Sequence, residues 1–344
     1  MTALLHDRFD ELRNTLPHIR LGSGPTTVRE LSGLSAGSTQ LWLKDDGLFG
    51  DGGWGGNKVR KLEWLIPDAL RRGRRTIFTV GGLGTNWGLA TALYAKEYGL
   101  KTALALVDQP VDEHVRAQLT RLEHSGATLH FTHTKARTIA AVPYLLARHS
   151  AGGKLPYLLP AGGSSTVGVL GYVEAALELA DQVAAGVVPE PTHVVTAIGS
   201  GGTAAGLLLG LELAGLSTRV VGVVVNDQLR LDATTLLRSA RRTEALLRKR
   251  GAPLPRLELA PDRLVLVEDQ LGAGYGHPTE QGERARALAA DAGLILEPVY
   301  TAKAMAATLA LDAGGELGTG PVVFLNTNGP RDGSAFTGGS QIRR

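Results

Sequence analysis

Two lysines with helical spacing suggest a site for an anionic ligand. Lys58 and Lys61 lie in the segment GGNKVRKLEWL, and they share a face if this segment is helical. Two ammonium groups on one face repel each other, which a shared anion would relieve. One lysine can form a Schiff base with an aldehyde cofactor while the other neutralises the phosphate of that cofactor. The alternative, favoured by this pattern alone, is a surface helix with Asn57 as its N-cap.

A turn of small residues between two apolar runs is suited to bind a phosphate. It consists of Gly199, Ser200, Gly201, Gly202 and Thr203. Consecutive free amides at the start of a helix form a phosphate cradle. The same residues also fit the dinucleotide pattern G-x-G-x-x-A, with Asp227 as the ribose-binding acid. Asp227 lies further along the chain than this pattern usually requires, which weakens the nicotinamide alternative.

A third segment, TVGGLGTNWGLA, places short polar side chains at the start of a helix. Thr85 and Asn86 can bind a carboxylate there together with backbone amides. The alternative for Thr85 is a simple N-cap. Trp87 follows in the first turn, beside glycines, where a large aromatic ring can line a pocket. Its alternative role is packing between two lobes of the protein.

Two tyrosines are candidates for proton transfer. Tyr275 lies in GAGYGHP and Tyr300 in EPVYTAK, and turn residues flank both. A phenol near a cationic lysine can have a lowered pKa and can act as an acid or a base. Taken singly, each tyrosine is more often a packed aromatic residue with a satisfied hydroxyl.

Alternating strands and helices must position these segments. A strand at 76–80, a helix at 86–98 and a strand at 101–107 form a βαβ unit, which implies parallel strands. A second set includes a strand at 193–198 and a helix at about 204–214. The pattern predicts a two-lobed α/β protein with parallel sheets covered by helices. Small ligands usually bind where such lobes meet.

The composition excludes several classes of function. The chain of 344 residues has no cysteine, so disulfides, thiolate nucleophiles and cysteine metal sites are excluded. Its nine histidines show no metal-ligand spacing, and we expect no metal. The net charge is only +3 and no tract interleaves basic and aromatic residues, so nucleic-acid binding is not expected. No apolar run resembles a signal or a membrane span, and we expect a cytoplasmic protein.

Taken together, the segments resemble the family of D-cysteine desulfhydrase and 1-aminocyclopropane-1-carboxylate (ACC) deaminase. This family belongs to the tryptophan-synthase-β-like group of pyridoxal-phosphate (PLP) enzymes, of fold type II. The resemblance covers about residues 41–329, and GGNKVRKLEWL is its most specific motif. Four more motifs follow in the family order: YLLPAGGSSTVGVLGYVEAALEL, GSGGTAAG, GYGHPTEQG and EPVYTAKAM. We therefore expect a large domain of residues 1–65 plus 166–344 and a small domain of residues 66–165.

The resemblance implies a role for each candidate residue. Lys58 would form the Schiff base with PLP, Lys61 and the turn Gly199 to Thr203 would hold its phosphate, and Asn86 would bond its ring hydroxyl. Thr85 would meet the substrate, and Tyr275 and Tyr300 would flank the reacting carbon. Thr327, with Thr301 as the second candidate, would face the pyridine nitrogen. Substrate contacts are expected from Asn57, Thr85, Asn86, Trp87 and Asn326.

Departures from the family pattern affect the substrate side. The usual S-N-H or S-N-Q is T-N-W here, and the usual H-T-G-G is N-T-N-G at Asn326 to Gly329. The deaminase branch has glutamate at the position of Thr301. The absence of that glutamate from this chain favours the D-cysteine branch. The expected reaction is β-elimination from a small amino acid, giving a 2-oxo acid and ammonia. ACC ring opening, or another elimination or replacement on a larger substrate, is the alternative. A homodimer is implied by the resemblance only.

Overall fold

Strands alternate with helices along the chain, as the sequence predicts. The computed structural model describes residues 3–35, 37–51 and 54–329. Within these residues the strands are β1 (Val28–Glu30), β2 (Gln40–Asp45), β3 (Thr76–Gly82), β4 (Lys101–Val107), β5 (Thr128–His133), β6 (Tyr157–Leu158), β7 (His193–Ile198), β8 (Arg219–Val224), β9 (Leu264–Val267) and β10 (Pro321–Asn326).

The helices between these strands cover two sheets. In the same described ranges they are α1 (Leu4–Arg8), α2 (Leu12–Thr15), α3 (Asn57–Arg71), α4 (Asn86–Glu97), α5 (Glu113–His124), α6 (Lys135–Arg148), α7 (Leu170–Ala184), α8 (Gly202–Leu213), α9 (Ala233–Lys249), α10 (Glu280–Asp291) and α11 (Thr301–Ala313). None of these helices is long and apolar enough to cross a membrane.

The two sheets are built from different stretches of the chain. The larger sheet has the order β1-β2-β10-β7-β8-β9, and the smaller has the order β5-β4-β3-β6. Every neighbouring pair is parallel except β1 with β2. The predicted α/β class with parallel sheets and helical cover is therefore confirmed. The exact domain boundaries at residues 66 and 165 stay a prediction.

Helices α7 and α8 lie in close contact because α8 carries glycines on the facing side. A Cβ atom at Gly206 would lie 2.5 Å from the Cβ of Tyr172, and one at Gly210 would lie 2.5 Å from the Cβ of Ala176. Any larger residue would separate the helices. This contact fixes α8, whose first turn begins in the predicted phosphate cradle.

A buried charge cluster fixes α3, the helix that carries both lysines. Arg60 donates to Asp46 at 2.8 Å and to Glu178 at 3.0 Å, and Lys44 also pairs with Glu178. The Tyr172 hydroxyl donates to Asp46 at 2.8 Å. We call these five side chains the charge cluster. They come from β2, α3, α7 and the turn at Asp46–Leu48. Two cations balance two carboxylates, so the buried charges are paired.

A proline inside α3 ties the N-terminal segment to this helix. Pro67 has no N–H, so the carbonyl of Glu63 has no partner one turn further along α3. The backbone N–H of Ile19 donates to that carbonyl at 3.0 Å. The Glu63 carboxylate accepts the N–H groups of Leu21 and Gly22. The segment before β1 is thus held by groups that the helix leaves available.

Candidate active site

One pocket brings together most of the residues selected from the sequence. It lies beyond the carboxyl ends of β3, β7, β8 and β10, where parallel sheets usually bind ligands. Its wall includes the predicted residues Asn57, Lys58, Lys61, Asn86, Trp87, Gly199, Ser200, Gly201, Thr203, Tyr275, Tyr300, Thr301 and Thr327.

Lys58 is placed in the pocket by the sharp start of α3. Gly56 precedes the helix with a φ of 102°, a conformation that a side chain would strain. The helix begins at Asn57, so Lys58 lies in its first turn. Burial lowers the pKa of Lys58 to about 8, and the negative charge of Glu297 limits the decrease. A larger fraction of this amine is therefore neutral near pH 7 than for an exposed lysine, and the neutral amine is the nucleophilic form.

Lys61 lies one turn along the same face, as the spacing predicts. Its Nζ donates to the carbonyl of Gly162 at 2.9 Å and to the hydroxyl of Ser164 at 3.4 Å. Burial, and then the charge of Lys58, lower the pKa of Lys61 well below its usual value. A bound anion would offset both effects.

The turn from Gly199 to Thr203 joins β7 to α8 next to Lys61. Gly201 has a φ of 83°, and a Cβ there would lie 2.5 Å from the Leu236 side chain. Asn226, which follows β8, donates to the Gly199 carbonyl at 2.7 Å and holds the turn. The first amides of a helix have no partner within that helix. The turn thus directs amides and hydroxyls toward the pocket.

Ser164 supports the phosphate side of the pocket from behind without lining its wall, and the sequence analysis did not select it. Its hydroxyl lies 2.8 Å from the Ser200 hydroxyl and accepts the N–H of Gly202 at 3.1 Å. A Cβ at Gly202 would lie 2.5 Å from the same hydroxyl and 3.0 Å from the Lys61 Nζ. Gly202 itself does not line the pocket wall. Its lack of a side chain leaves room for Ser164 and Lys61.

The first turn of α4 supplies one wall of the pocket. The Thr85 hydroxyl accepts the N–H of Gly88 as an N-cap, and Thr85 is not part of the pocket wall. Asn86 lines the wall and accepts from Gln118 through its Oδ1, so its amide nitrogen can donate to a ligand. The structure therefore places Asn86, and not Thr85, at the pocket surface.

Trp87 is both a packed residue and a wall residue. Its Nε1 donates to the Thr79 hydroxyl at 2.8 Å, which fixes the ring. A Cβ at Gly163 would lie 2.5 Å from the indole ring, so the ring packs directly on that backbone. Trp87 therefore lines the pocket and is packed, but Thr79 and Gly163 both lie within the predicted small domain, so packing between two lobes stays a prediction.

The two tyrosines form a hydrogen-bonded pair. Their hydroxyl oxygens lie 2.7 Å apart, and both rings line the pocket. The pKa of Tyr275 is raised by burial, and that of Tyr300 is raised by burial and then by Tyr275. The expectation of a lowered phenol pKa is therefore wrong, because burial raises the pKa of both phenols and the negative charge of Glu297 raises both further. Both phenols are neutral near pH 7, so either can donate a proton.

Glu297 is a pocket residue that the sequence analysis missed. Its carboxylate accepts the backbone N–H groups of Tyr300 and Thr301 at 2.6 Å each and that of Val299 at 2.9 Å. Burial raises the pKa of Glu297, while these three N–H groups favour its charged form. It thus sets the position of both Tyr300 and Thr301. Glu297 is the first residue of the motif EPVYTAK. An acidic residue just before a helix start is the sequence signal that could have identified it.

The last strand supplies Thr327 but not Asn326. Thr327 follows β10 and lines the wall, as does Thr301, so the choice between them for the pyridine nitrogen stays a prediction. Asn326 is fully buried away from the pocket: its Nδ2 donates to Asp45 at 3.1 Å, and its Oδ1 accepts the N–H of Asn328. It shapes the turn that presents Thr327 and does not reach the pocket surface.

The pocket fits a ligand with an aldehyde and a phosphate. A lysine with a lowered pKa faces a cavity that also holds a second buried lysine, the hydroxyl-bearing residues Ser200 and Thr203, and the start of a helix, whose amides can bind an anion. Within residues 3–35, 37–51 and 54–329, no group of three or more metal-ligating side chains could hold a metal ion.

Comparison with known families matches this chemistry. A model described as "Pyridoxal-phosphate dependent enzyme" matches residues 19–328. The chain belongs to this family. Members of this PLP-dependent family bind pyridoxal phosphate, so the predicted cofactor, the enzyme class and the fold-type-II resemblance are confirmed. The nicotinamide alternative is wrong: Asp227 accepts the N–H of Tyr275 and lies outside the pocket wall.

Solved structures place this PLP-dependent enzyme among similar proteins. It is 29% identical to a protein described as an ACC deaminase homologue, with a TM-score of 0.79 and 95% of each chain covered. It shares only the fold with threonine deaminase isoform 2 from Solanum lycopersicum. That match is 13% identical, has a TM-score of 0.62, and covers 97% of this chain and 86% of the other.

Proposed function

We propose that this PLP-dependent enzyme removes a leaving group from the β-carbon of a small amino acid, with D-cysteine as its preferred substrate. One water molecule is consumed after the elimination, the products are a 2-oxo acid and ammonia, and sulfide is the leaving group released from D-cysteine. The observation that carries the proposal is the single pocket that holds both Lys58, with its pKa of about 8, and the Tyr275–Tyr300 pair.

The residues of this chain divide the work of holding the cofactor. Lys58 would bind the aldehyde carbon, while Lys61 and the turn from Gly199 to Thr203 would bind the phosphate. Asn86 donates to the ring hydroxyl through its amide nitrogen. When bound, pyridoxal phosphate withdraws electrons from the carbon that carries the substrate amine.

Proton transfer at the substrate is assigned to three side chains. With pyridoxal phosphate and substrate bound, the Lys58 amine would remove the α-proton of the substrate, and its lowered pKa favours the neutral form that can accept a proton. Tyr300, held by Glu297, donates a proton to the leaving group on the β-carbon, and Tyr275 orients that phenol through their 2.7 Å hydrogen bond.

ACC ring opening is the second candidate, because the similar structure is described as an ACC deaminase homologue. The two reactions need different substrates and the same cofactor pocket. Thr301 supports the D-cysteine proposal, because the deaminase branch has glutamate at this position. Trp87 does not distinguish the two reactions. Its ring is fixed against Gly163 and narrows the pocket equally for both substrates.

A substrate panel tests the proposal. The loaded enzyme is assayed with D-cysteine, L-cysteine, ACC and D- and L-serine, and 2-oxo acid, ammonia and sulfide are measured. We expect the highest kcat/KM with D-cysteine and equal amounts of sulfide and ammonia. A preference for ACC with no sulfide release would favour the second candidate, and no turnover of any amino acid would contradict both.

The Lys58→Ala variant tests the assigned amine. We expect it to lose the visible absorption band of the bound cofactor and about 10²–10⁴-fold of its turnover. Lys101→Ala is the matched control, since Lys101 is exposed at the start of β4 and outside the pocket wall. Normal turnover by Lys58→Ala would contradict the assignment.

A further inference from the structure

A second cavity lies behind the glycine turn that is assigned to the cofactor phosphate. Its volume is about 430 Å³, within the range of small-molecule sites. Ala161, Ser200 and Gly201 belong to its wall and also to the wall of the pocket that contains Lys58. The turn therefore separates two cavities, of which the function described above uses only one.

The charged residues in the wall of this second cavity are all basic. Among the described residues, its wall contains Arg230, Arg238 and Arg242 and no acidic residue. Arg230 pairs with Asp232, whose carboxylate also caps the start of α9. Asp232 is thus already engaged by a guanidinium and by a backbone N–H, and it does not balance the other two arginines.

Arg238 and Arg242 lie one turn apart on α9 and face the same cavity. Both are exposed, and within the described part of the chain neither side chain has a hydrogen-bond or ion-pair partner. Two guanidinium groups on one helical face repel each other unless an anion lies between them. An Arg fork matches the oxygens of a phosphate, to which it can donate two parallel hydrogen bonds.

Hydroxyl groups complete the wall of this cavity. They come from the loop before α7, from the glycine turn and from the first two turns of α9: Ser164, Ser165, Thr166, Ser200, Thr235 and Ser239. Hydroxyls donate to phosphate oxygens and can also bond a polar organic group. The concave shape and the absence of aromatic rings in this wall suit a compact ligand and not an extended nucleic acid.

We propose that this cavity, the arginine cavity, binds a small phosphomonoester through Arg238 and Arg242. The ligand occupies it while the cofactor remains in its own pocket, because the turn at Ser200 and Gly201 separates the two. No covalent step is involved. The site is independent of which amino acid the enzyme consumes.

Binding is tested on the loaded enzyme by calorimetric titration at constant ionic strength. The probes are glycerol 3-phosphate and inorganic phosphate, with glycerol as the control that lacks phosphate. We expect saturable binding of glycerol 3-phosphate, weaker binding of inorganic phosphate and no binding of glycerol, with the visible cofactor band unchanged. Binding of inorganic phosphate alone, or a loss of the cofactor band on titration, would overturn the proposal.

Variants locate the site. We expect the double variant Arg238→Gln with Arg242→Gln to weaken glycerol 3-phosphate binding by at least about tenfold, since it removes charged hydrogen-bond donors to the phosphate. Arg241→Gln is the matched control, because Arg241 lies on the same helix, bonds the Leu259 carbonyl and is outside the cavity wall. Equal affinity in the double variant and the control would refute the assignment, and so would the absence of saturable binding.

Discussion

Lys58 and Glu297 line the same pocket, and burial together with the charge of Glu297 sets the pKa of Lys58 and so the pH range in which it can react. Burial lowers the pKa of Lys58 to about 8, and Glu297 raises it against that decrease. The amine attacks an aldehyde only when it is unprotonated. Formation of the Schiff base in the cofactor-free enzyme therefore depends on pH through the pKa of Lys58.

The rate of cofactor recombination tests this dependence. We expect the rate at which the visible band forms to rise with pH and to level off above about 8. In Glu297→Gln the midpoint should move to lower pH, because the charge that favours the ammonium form is removed. The Gln carbonyl can still accept the N–H groups of Tyr300 and Thr301, which limits structural damage. Stopped-flow absorbance measures both midpoints.

The matched control for this experiment is Glu280→Gln, which removes an exposed acid paired with Arg284 on α10. Its midpoint should equal that of the unmodified enzyme. An unchanged midpoint in Glu297→Gln would mean that the carboxylate does not act on Lys58. If the midpoint moved equally in Glu297→Gln and Glu280→Gln, the shift would not come from a specific effect of Glu297 on Lys58.

At the residue scale, the sequence predicted groups that local spacing defines. Lys58 and Lys61 share a face because α3 forms where the pattern indicates it. The direction of the tyrosine pKa shift was missed, because it depends on burial and on Glu297, whose position requires the folded chain. Asn326 was selected from its motif, but the direction of its side chain is set by Asp45, 281 residues away.

Among the elements, the short turn at Ala161–Gly163 holds α4 in place through Trp87. Gly163 has a φ of 66°, and a Cβ there would lie 2.5 Å from the indole ring. The ring cannot move easily, because its Nε1 is bonded to Thr79. Only glycine satisfies both constraints at this position.

Gly163→Ala should therefore be costly. We expect a loss of about 2–4 kcal/mol in the free energy of unfolding, the sum of left-handed backbone strain and overpacking. Gly153→Ala is the matched control: Gly153 has a φ of 72°, but a Cβ there has no atom within 4 Å. It should lose only the backbone part, about 1–2 kcal/mol. Urea unfolding measures the free energy of unfolding of both variants. Equal losses would show that the Trp87 ring moves to accommodate the added methyl group.

The sequence predicted long elements well and short ones poorly. The predicted bounds of β4 and β7 are those observed, since each is an apolar run with β-branched residues that is bounded by turn residues. Strands β1, β2 and β6 were not predicted. Two of them have three residues or fewer, and β2 lies next to β10, which is nearly 300 residues later in the chain. Pairing over such a separation leaves no local pattern.

In the whole molecule, the charge cluster around Arg60 joins segments that are remote in sequence. Arg60 and Glu178 are 118 residues apart, and Thr26 and Glu178 are 152 apart. No spacing rule identifies such partners, so the sequence analysis did not find the cluster. It holds α3 against α7, and it thereby supports the pocket through the helix that carries Lys58.

Glu178 should be the most sensitive member of the cluster, because it accepts hydrogen bonds from both Arg60 and Lys44. Burial alone would raise its pKa, but Arg60 and Lys44 outweigh burial and lower the pKa to about 2. Removing one partner of a buried ion pair leaves a charge uncompensated. We expect Glu178→Gln to lose about 3–5 kcal/mol in the free energy of unfolding.

The pH dependence gives a second test of the same residue. Because the folded pKa of Glu178 lies below its unfolded value of about 4.5, its contribution is complete above pH 5 and is lost as the pH falls toward 2. Glu178→Gln should lack this part of the acid destabilisation. Asp181→Asn is the matched control on the same helix, since its pair with Arg8 is exposed and contributes at most about 1 kcal/mol. If urea unfolding gave equal losses for both variants, the cluster would not stabilise the fold as its burial requires.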